Sequence, residues 1–138
     1  MNEKRLYGIQ QVGIGVENLD KAVRWYRQHL NARVIAFEDH EIATHMAPYM
    51  GGRPAAKSAI MLLNPVGGGG FELWQYTDRK PSEAVQMVQL GYLGINYVKL
   101  ESNNLDRVRK QFTTNIIDEG TDWIVIHDPF GNKLMISE

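Results

Sequence analysis

The feature that most constrains the fold is a stretch of sequence that occurs twice. Residues 8–26 read GIQQVGIGVENLDKAVRWY and residues 94–112 read GINYVKLESNNLDRVRKQF, and the two align without a gap at a constant offset of 86 (94 − 8 = 86). Both copies contain the tripeptide Asn-Leu-Asp. A repeat of this length indicates one supersecondary unit used twice, so it constrains the architecture more than any single motif does.

In each copy, the spacing of the apolar residues changes from that of a strand to that of a helix. In residues 7–16 the side chains alternate, with Val12, Ile14 and Val16 on one side and Gln11 on the other, which predicts a half-buried strand. Asn18 is a good N-cap, and the residues after it are apolar at the spacing of an amphipathic helix. The helix would cover the side of the strand that carries the valines, and the side with Gln11 would stay free.

Further strands follow in the same order in both halves. The sequence predicts strands at 33–38, 57–63 and 71–76, then at 94–100, 115–118, 122–127 and 133–137. Residues 39–56 are expected to form a long connection, and residues 67–70 a flexible hairpin. The predicted class is α+β, a single domain of two βαβββ modules (6–77 and 92–138) joined by a linker (78–91). The mixed sheets would form a cup, with the helices on the outer faces.

Composition narrows the classes of function. The chain has 138 residues, 43% hydrophobic and 22% charged, which is typical of one globular domain. Its formal net charge is −1 and its basic residues are not clustered, so we expect no nucleic acid partner. Cysteine is absent, which excludes disulfides, thiolate metal sites and a cysteine nucleophile. Without a signal-peptide pattern or a long apolar run, we expect a cytoplasmic protein with no membrane partner.

Three features of the sequence point to a family: the two-fold βαβββ order, the motif VGIGVENLDKAVRWY at 12–26 and the DPFGN hairpin at 128–132. Together they resemble the vicinal oxygen chelate superfamily. That family includes glyoxalase I, methylmalonyl-CoA epimerase, extradiol dioxygenases, fosfomycin-resistance enzymes and bleomycin-resistance proteins. The resemblance covers about residues 6–137 and implies a cup that takes a small-molecule ligand, in a homodimer. The fold hosts several reactions and some proteins that only bind, so the resemblance implies the fold more firmly than the reaction.

The resemblance places the family's metal ligands at Gln11, Glu72, Tyr97 and Met135. Only Glu72 is of the usual ligand type, because the family commonly has histidine at the first-strand positions and glutamate at the last-strand positions. Tyr97 binds metal poorly unless it is ionised, and Met135 is a soft thioether that Mg²⁺, Mn²⁺ and Zn²⁺ do not favour. A catalytic zinc needs about three protein ligands, so the sequence predicts a degraded metal site and no cofactor.

The histidines leave an alternative open. Zinc, nickel, manganese or iron could still bind if His45 or His127 supplied a replacement ligand. Otherwise His40 and His45 are surface residues of the connection at 39–56, and His127 is a residue at the end of a hairpin.

Two functions follow from the resemblance, and the sequence leaves open whether the protein is an enzyme. In the first, the protein binds a small, apolar or aromatic molecule in its cup without a metal. The residues expected to line that cup are Gln11, Trp74, Tyr97, Lys99, Trp123 and Met135. In the second, it is a metal-dependent lyase or isomerase similar to glyoxalase I or methylmalonyl-CoA epimerase. Glu72 is the candidate catalytic residue, as the base that moves a proton from carbon.

Overall fold

The computed structural model describes residues 8–45, 47–49, 52, 56–80 and 95–138. The chain divides into two compact units, Met1–Ser82 and Glu83–Glu138, and each contains one copy of the repeat. Most of the predicted linker at 78–91 lies outside the described residues, as do Met46 and Met50. No helix in the described part of the chain is long and apolar enough to cross a membrane.

The first unit is a four-stranded mixed sheet with one α-helix. Its elements are β1 (Gln11–Gly15), α1 (Leu19–His29), β2 (Val34–Ile42), a short 3-10 helix (Ala47–Tyr49), β3 (Ala56–Leu63) and β4 (Gly70–Tyr76). The strand order is β1-β4-β3-β2. The pairing of β1 with β4 is parallel, and the other two pairings are antiparallel.

The second unit repeats this topology. Its elements are β5 (Val98–Glu101), α2 (Leu105–Gln111), β6 (Ile116–Glu119), β7 (Trp123–His127) and β8 (Lys133–Ser137). The strand order is β5-β8-β7-β6, again with a parallel pairing of the first strand to the last. The predicted α+β class, with two βαβββ modules, is therefore confirmed.

In the first unit, α1 packs on the face of the sheet that the alternation predicted. Asn18 caps the helix, because its side-chain oxygen accepts a hydrogen bond from the backbone N–H of Lys21 at 2.8 Å. Tyr26 is fully buried, and its ring lies 5.0 Å from the ring of Phe71 in an edge-to-face arrangement. Ile14 and Val16 are buried on the same face. Gln11 lies on the opposite face and is exposed.

The second unit is built from the same local signals. Asn104 caps α2 by accepting a hydrogen bond from the backbone N–H of Arg107 at 2.9 Å. The apolar stripe of the helix buries Leu105 at its start, and Phe112 is buried at its end. Ile124, Ile126 and Leu134 are fully buried in the sheet. Equivalent positions of the repeat thus form equivalent structure.

The main error in the predicted elements concerns the second strand. It was predicted at 33–38, but β2 continues to Ile42 and pairs with β3 along its whole length. His40 was predicted to lie in a long connection, but it lies in this strand and hydrogen bonds to Ser58 and Glu38. β2 lies at the edge of the sheet and its residues are largely exposed, so residues 38–41 can be polar. Because they lack the apolar alternation of a half-buried strand, this part of β2 was not predicted.

Candidate functional site

The register of the first sheet defines the face opposite α1, which we call the helix-free face. Residues directly opposite each other on neighbouring strands point to the same side, so the pairings assign the face without ambiguity. Its members are Gln11, Gly13 and Gly15 of β1; Gly70, Glu72, Trp74 and Tyr76 of β4; Lys57, Ala59, Met61 and Leu63 of β3; and Val34, Phe37, Asp39 and Glu41 of β2. Three predicted site residues, Gln11, Glu72 and Trp74, lie together on this face.

Glu72 and Gln11 form a direct hydrogen bond. The Nε2 of Gln11 donates to one carboxylate oxygen of Glu72 at 2.6 Å, and Glu72 is only 8% exposed. The other carboxylate oxygen has no hydrogen-bond partner among the described residues. That oxygen is not among the fully buried side-chain atoms that lack a partner, so it is open to solvent and to a donor on a bound molecule.

The four positions where the resemblance implies metal ligands offer one carboxylate, that of Glu72. Gln11 turns its amide nitrogen, which cannot ligate a metal, toward the only carboxylate at the four family positions. Tyr97 and Met135, the other two positions, supply a phenol and a thioether, which hard and borderline cations do not favour. Within the described residues there is also no group of three or more histidine, aspartate or glutamate side chains that could hold an ion.

Lys57 is a buried charged residue at the centre of the helix-free face, and it was not among the site residues predicted from the sequence. Its side chain is 6% exposed, and its Nζ lies 2.8 Å from Asp39 and 3.3 Å from Glu41. The same Nζ lies 4.2 Å from the centre of the Trp74 ring. Burial opposes the charge, but the hydrogen bonds to Asp39 and Glu41 outweigh it and raise the pKa of Lys57 above its ordinary value. Lys57 is therefore a buried cation that holds one face of Trp74.

The remaining predicted ligand residues belong to the second unit. Lys99 pairs with Met135 in the parallel register of β5 and β8, and Trp123 on β7 follows the same alternation as Val125, the partner of Met135. Lys99, Met135 and Trp123 therefore share one face of the second sheet. Tyr97 lies just before β5 and is 40% exposed. The predicted site residues thus form two sets, one in each unit.

Sequence reasoning missed Gly120, which accommodates Trp123. An added Cβ at this glycine would collide with the indole ring of Trp123. A larger residue at position 120 would therefore displace the indole of Trp123 from its observed place.

The two histidines proposed as replacement ligands differ in their surroundings. His127 ends β7, and its buried Nε2 has no hydrogen-bond partner in the described part of the chain. Ser137, which was not predicted as a site residue, also has a buried and unpartnered hydroxyl. His45 follows β2 in an exposed turn. The role of either histidine as a metal ligand stays a prediction.

Comparison with known proteins identifies what the chain is similar to. The sequence model of the Glyoxalase/Bleomycin resistance protein/Dioxygenase superfamily matches residues 8–136. A glyoxalase family protein from Bacillus cereus superposes with a TM-score of 0.79 at 16% identity, over 100% of this chain and 97% of that chain. The trypanothione-dependent glyoxalase I of Leishmania major gives 0.66 at 13% identity, over 96% and 87%.

An antibiotic-binding protein from a Streptomyces species, TnmS3, is also similar. Its TM-score is 0.62 at 9% identity, over 98% of each chain. No curated protein matches the sequence. At such identities, the solved structures show a shared fold and nothing finer.

Proposed function

The chain belongs to the Glyoxalase/Bleomycin resistance protein/Dioxygenase superfamily, and we propose that it binds a small, apolar or aromatic molecule without a metal. The observation that carries this proposal is the 2.6 Å hydrogen bond between Gln11 and Glu72. These are two of the positions at which the resemblance implies metal ligands. Here the two side chains satisfy each other in part, and the amide presents a nitrogen where an ion would need an oxygen.

The aromatic character of the ligand is supported by what surrounds this pair. Trp74 lies on the same face as Glu72 and is partly exposed, so its ring is an accessible apolar surface. Lys57 contacts one side of the ring and fixes its orientation. The second unit, taken by itself, carries Trp123 and Met135 on one face of its own sheet, which gives that face an aromatic and a thioether surface. The antibiotic-binding protein among the structural neighbours supports the use of this fold for ligand binding.

A second candidate function is proton transfer, with Glu72 as the base. The observation that favours it is the second carboxylate oxygen of Glu72, which has no partner among the described residues. A buried carboxylate in this state could take a proton from a carbon next to a carbonyl group and return it to the same molecule. The lyase or isomerase alternative in its metal-dependent form is less well supported, because the donor set at the four family positions does not fit a divalent ion.

The first test combines metal analysis with ligand binding. Tag-free protein is incubated with Zn²⁺, Ni²⁺, Mn²⁺ and Fe²⁺, desalted and analysed for bound metal. The metal-free protein is then titrated with N-phenyl-1-naphthylamine, a neutral aromatic probe whose fluorescence increases in apolar sites. We expect no stoichiometric metal and saturable probe binding. Stoichiometric metal that is lost in Glu72→Gln but kept in the matched exposed variant Glu17→Gln would overturn the metal-free proposal.

A further inference from the structure

We propose that the ligand presents a hydrogen-bond acceptor next to a hydrogen-bond donor, as a primary carboxamide does, to the indole N–H of Trp74 and to Glu72. The group would lie over the bare backbone of Gly13. This inference rests on the proposed function, because it assigns the chemistry of the ligand at the same face.

Gly13 leaves an empty side-chain position between the two groups. In the parallel register of β1 and β4 it lies directly opposite Glu72. A Cβ added to Gly13 would lie 3.8 Å from Nε1 of Trp74, so the indole nitrogen lies at the edge of this empty position. Gly15, the next residue on this face, lies opposite Trp74, and an added Cβ there would meet nothing within 4 Å. Two successive glycines thus leave a flat strip of backbone beside Glu72 and Trp74.

Of the two polar atoms that border this strip, one is a hydrogen-bond donor and the other is an acceptor. The indole N–H of Trp74 is a donor, and no acceptor for it lies among the described residues. The second oxygen of Glu72 is an acceptor without a donor in the same part of the chain. A group with adjacent acceptor and donor atoms would satisfy both atoms, whereas a hydrocarbon would leave both unpaired. A carboxylate ligand would place a negative charge next to that of Glu72.

The donor is held in place before the ligand arrives. Lys57 contacts the face of the Trp74 ring, and the carboxylates of Asp39 and Glu41 hold Lys57. The acceptor is held by Gln11, which donates to the first oxygen of Glu72. Because neighbours on the same sheet hold both the donor and the acceptor, little side-chain freedom is lost when a ligand binds.

The test follows the indole N–H signals by two-dimensional NMR. The chain contains three tryptophans, and the variants Trp25→Phe, Trp74→Phe and Trp123→Phe assign their signals. Benzamide and N,N-dimethylbenzamide, which lacks the donor, are titrated separately. We expect benzamide to move the Trp74 signal downfield and to bind about tenfold more tightly than the dimethyl compound, because a site built for a donor rejects an analogue without one.

Two variants locate the contact. Gly13→Ala should weaken benzamide binding about tenfold or more, because its methyl group takes the space of the carboxamide although it fits the protein itself at 3.8 Å from Trp74. Trp25→Phe changes a tryptophan on α1 and should leave the affinity for benzamide unchanged.

The outcomes separate this inference from the proposed function. Equal binding of the two amides, or benzamide binding that leaves the Trp74 signal in place, would overturn the inference while the naphthylamine probe still bound. Binding of the naphthylamine probe but of neither amide would overturn it as well. Failure of all three compounds to bind would overturn the proposed function.

Discussion

The ammonium of Lys57 lies 4.2 Å from the centre of the Trp74 ring, although only 6% of the lysine side chain is exposed. A cation this well buried needs partners, and β2 supplies two carboxylates, from Asp39 and Glu41. Trp74 was predicted from the sequence as a ligand-binding residue, whereas Lys57 was not singled out. The structure places the two in contact. The orientation of Trp74 therefore depends on the pairing of β2 with β3.

Replacing Lys57 by methionine should destabilise the protein by about 1–3 kcal/mol. The variant keeps most of the apolar volume, but it leaves two carboxylates facing each other without a cation and removes the contact with Trp74. The loss stays moderate because Asp39 and Glu41 are 37% and 40% exposed. Urea unfolding followed by circular dichroism measures the change. Lys110→Met, at an exposed helix position, is the control, with an expected effect within about 0.5 kcal/mol.

The contribution of Lys57 should disappear only at strongly alkaline pH. Its pKa in the folded protein is raised above the ordinary value of 10.5, because the hydrogen bonds to Asp39 and Glu41 outweigh burial. Below 10.5 both folded and unfolded chains hold the proton, so the full stabilisation is present. As the pH rises through that value and then through the folded pKa, the stabilisation is lost.

The experiment compares the unfolding free energies of the Lys57 protein and of Lys57→Met from pH 7 upward. Tyr76 pairs with Lys57 in the register of β3 and β4, so both proteins carry Tyr76→Phe to keep the phenol out of the comparison. The difference between them should be constant up to about pH 10 and then shrink. A difference that already shrinks between pH 7 and pH 9 would contradict the raised pKa.

Glu72→Gln should change the affinity for benzamide and leave the melting temperature within a few degrees. Glutamine has the same size and still offers an acceptor to Gln11, so the fold keeps its hydrogen bond. A neutral acceptor binds a donor less strongly than a carboxylate does, so we expect an affinity about three- to tenfold lower. Differential scanning fluorimetry and the NMR titration give the two readouts. A large fall in melting temperature would assign Glu72 a structural role.

The fold could be predicted from the sequence because the signals that determine it are local. The alternation around Ile14, the caps at Asn18 and Asn104 and the repeat itself each lie within a few residues of the structure that they specify. The pairing of Gln11 with Glu72 could be anticipated only through the resemblance, since 61 residues separate the two.

The surroundings of that pair could not be predicted, because they depend on strand register. Lys57 meets Asp39 and Glu41 only when β2 extends to Ile42, and that extension was missed. The role of Gly13 follows from its place opposite Glu72, which the sequence alone does not give. The homodimer implied by the resemblance stays a prediction, and so does the cytoplasmic location expected from the lack of a signal-peptide pattern and of a long apolar run.

Two glycines on the helix-free face should respond oppositely to alanine. An added Cβ at Gly70 would lie 2.6 Å from Leu63, 2.8 Å from Met61 and 3.0 Å from the backbone oxygen of Leu62. The first two contacts can relax because they involve side-chain ends, but the third involves the backbone of β3. Gly70→Ala should therefore destabilise the protein by about 1–2 kcal/mol through overpacking.

Gly15→Ala is the matched variant, because an added Cβ at Gly15 meets nothing within 4 Å and its backbone angles suit other residues. Since glycine costs a strand about 0.5–1 kcal/mol relative to alanine, this variant should be neutral or slightly stabilising. Urea unfolding of the two variants beside the unmodified chain measures both effects. Equal destabilisation by the two substitutions would mean that the space beside Trp74 is filled, and the strip of backbone proposed to receive the ligand would not exist.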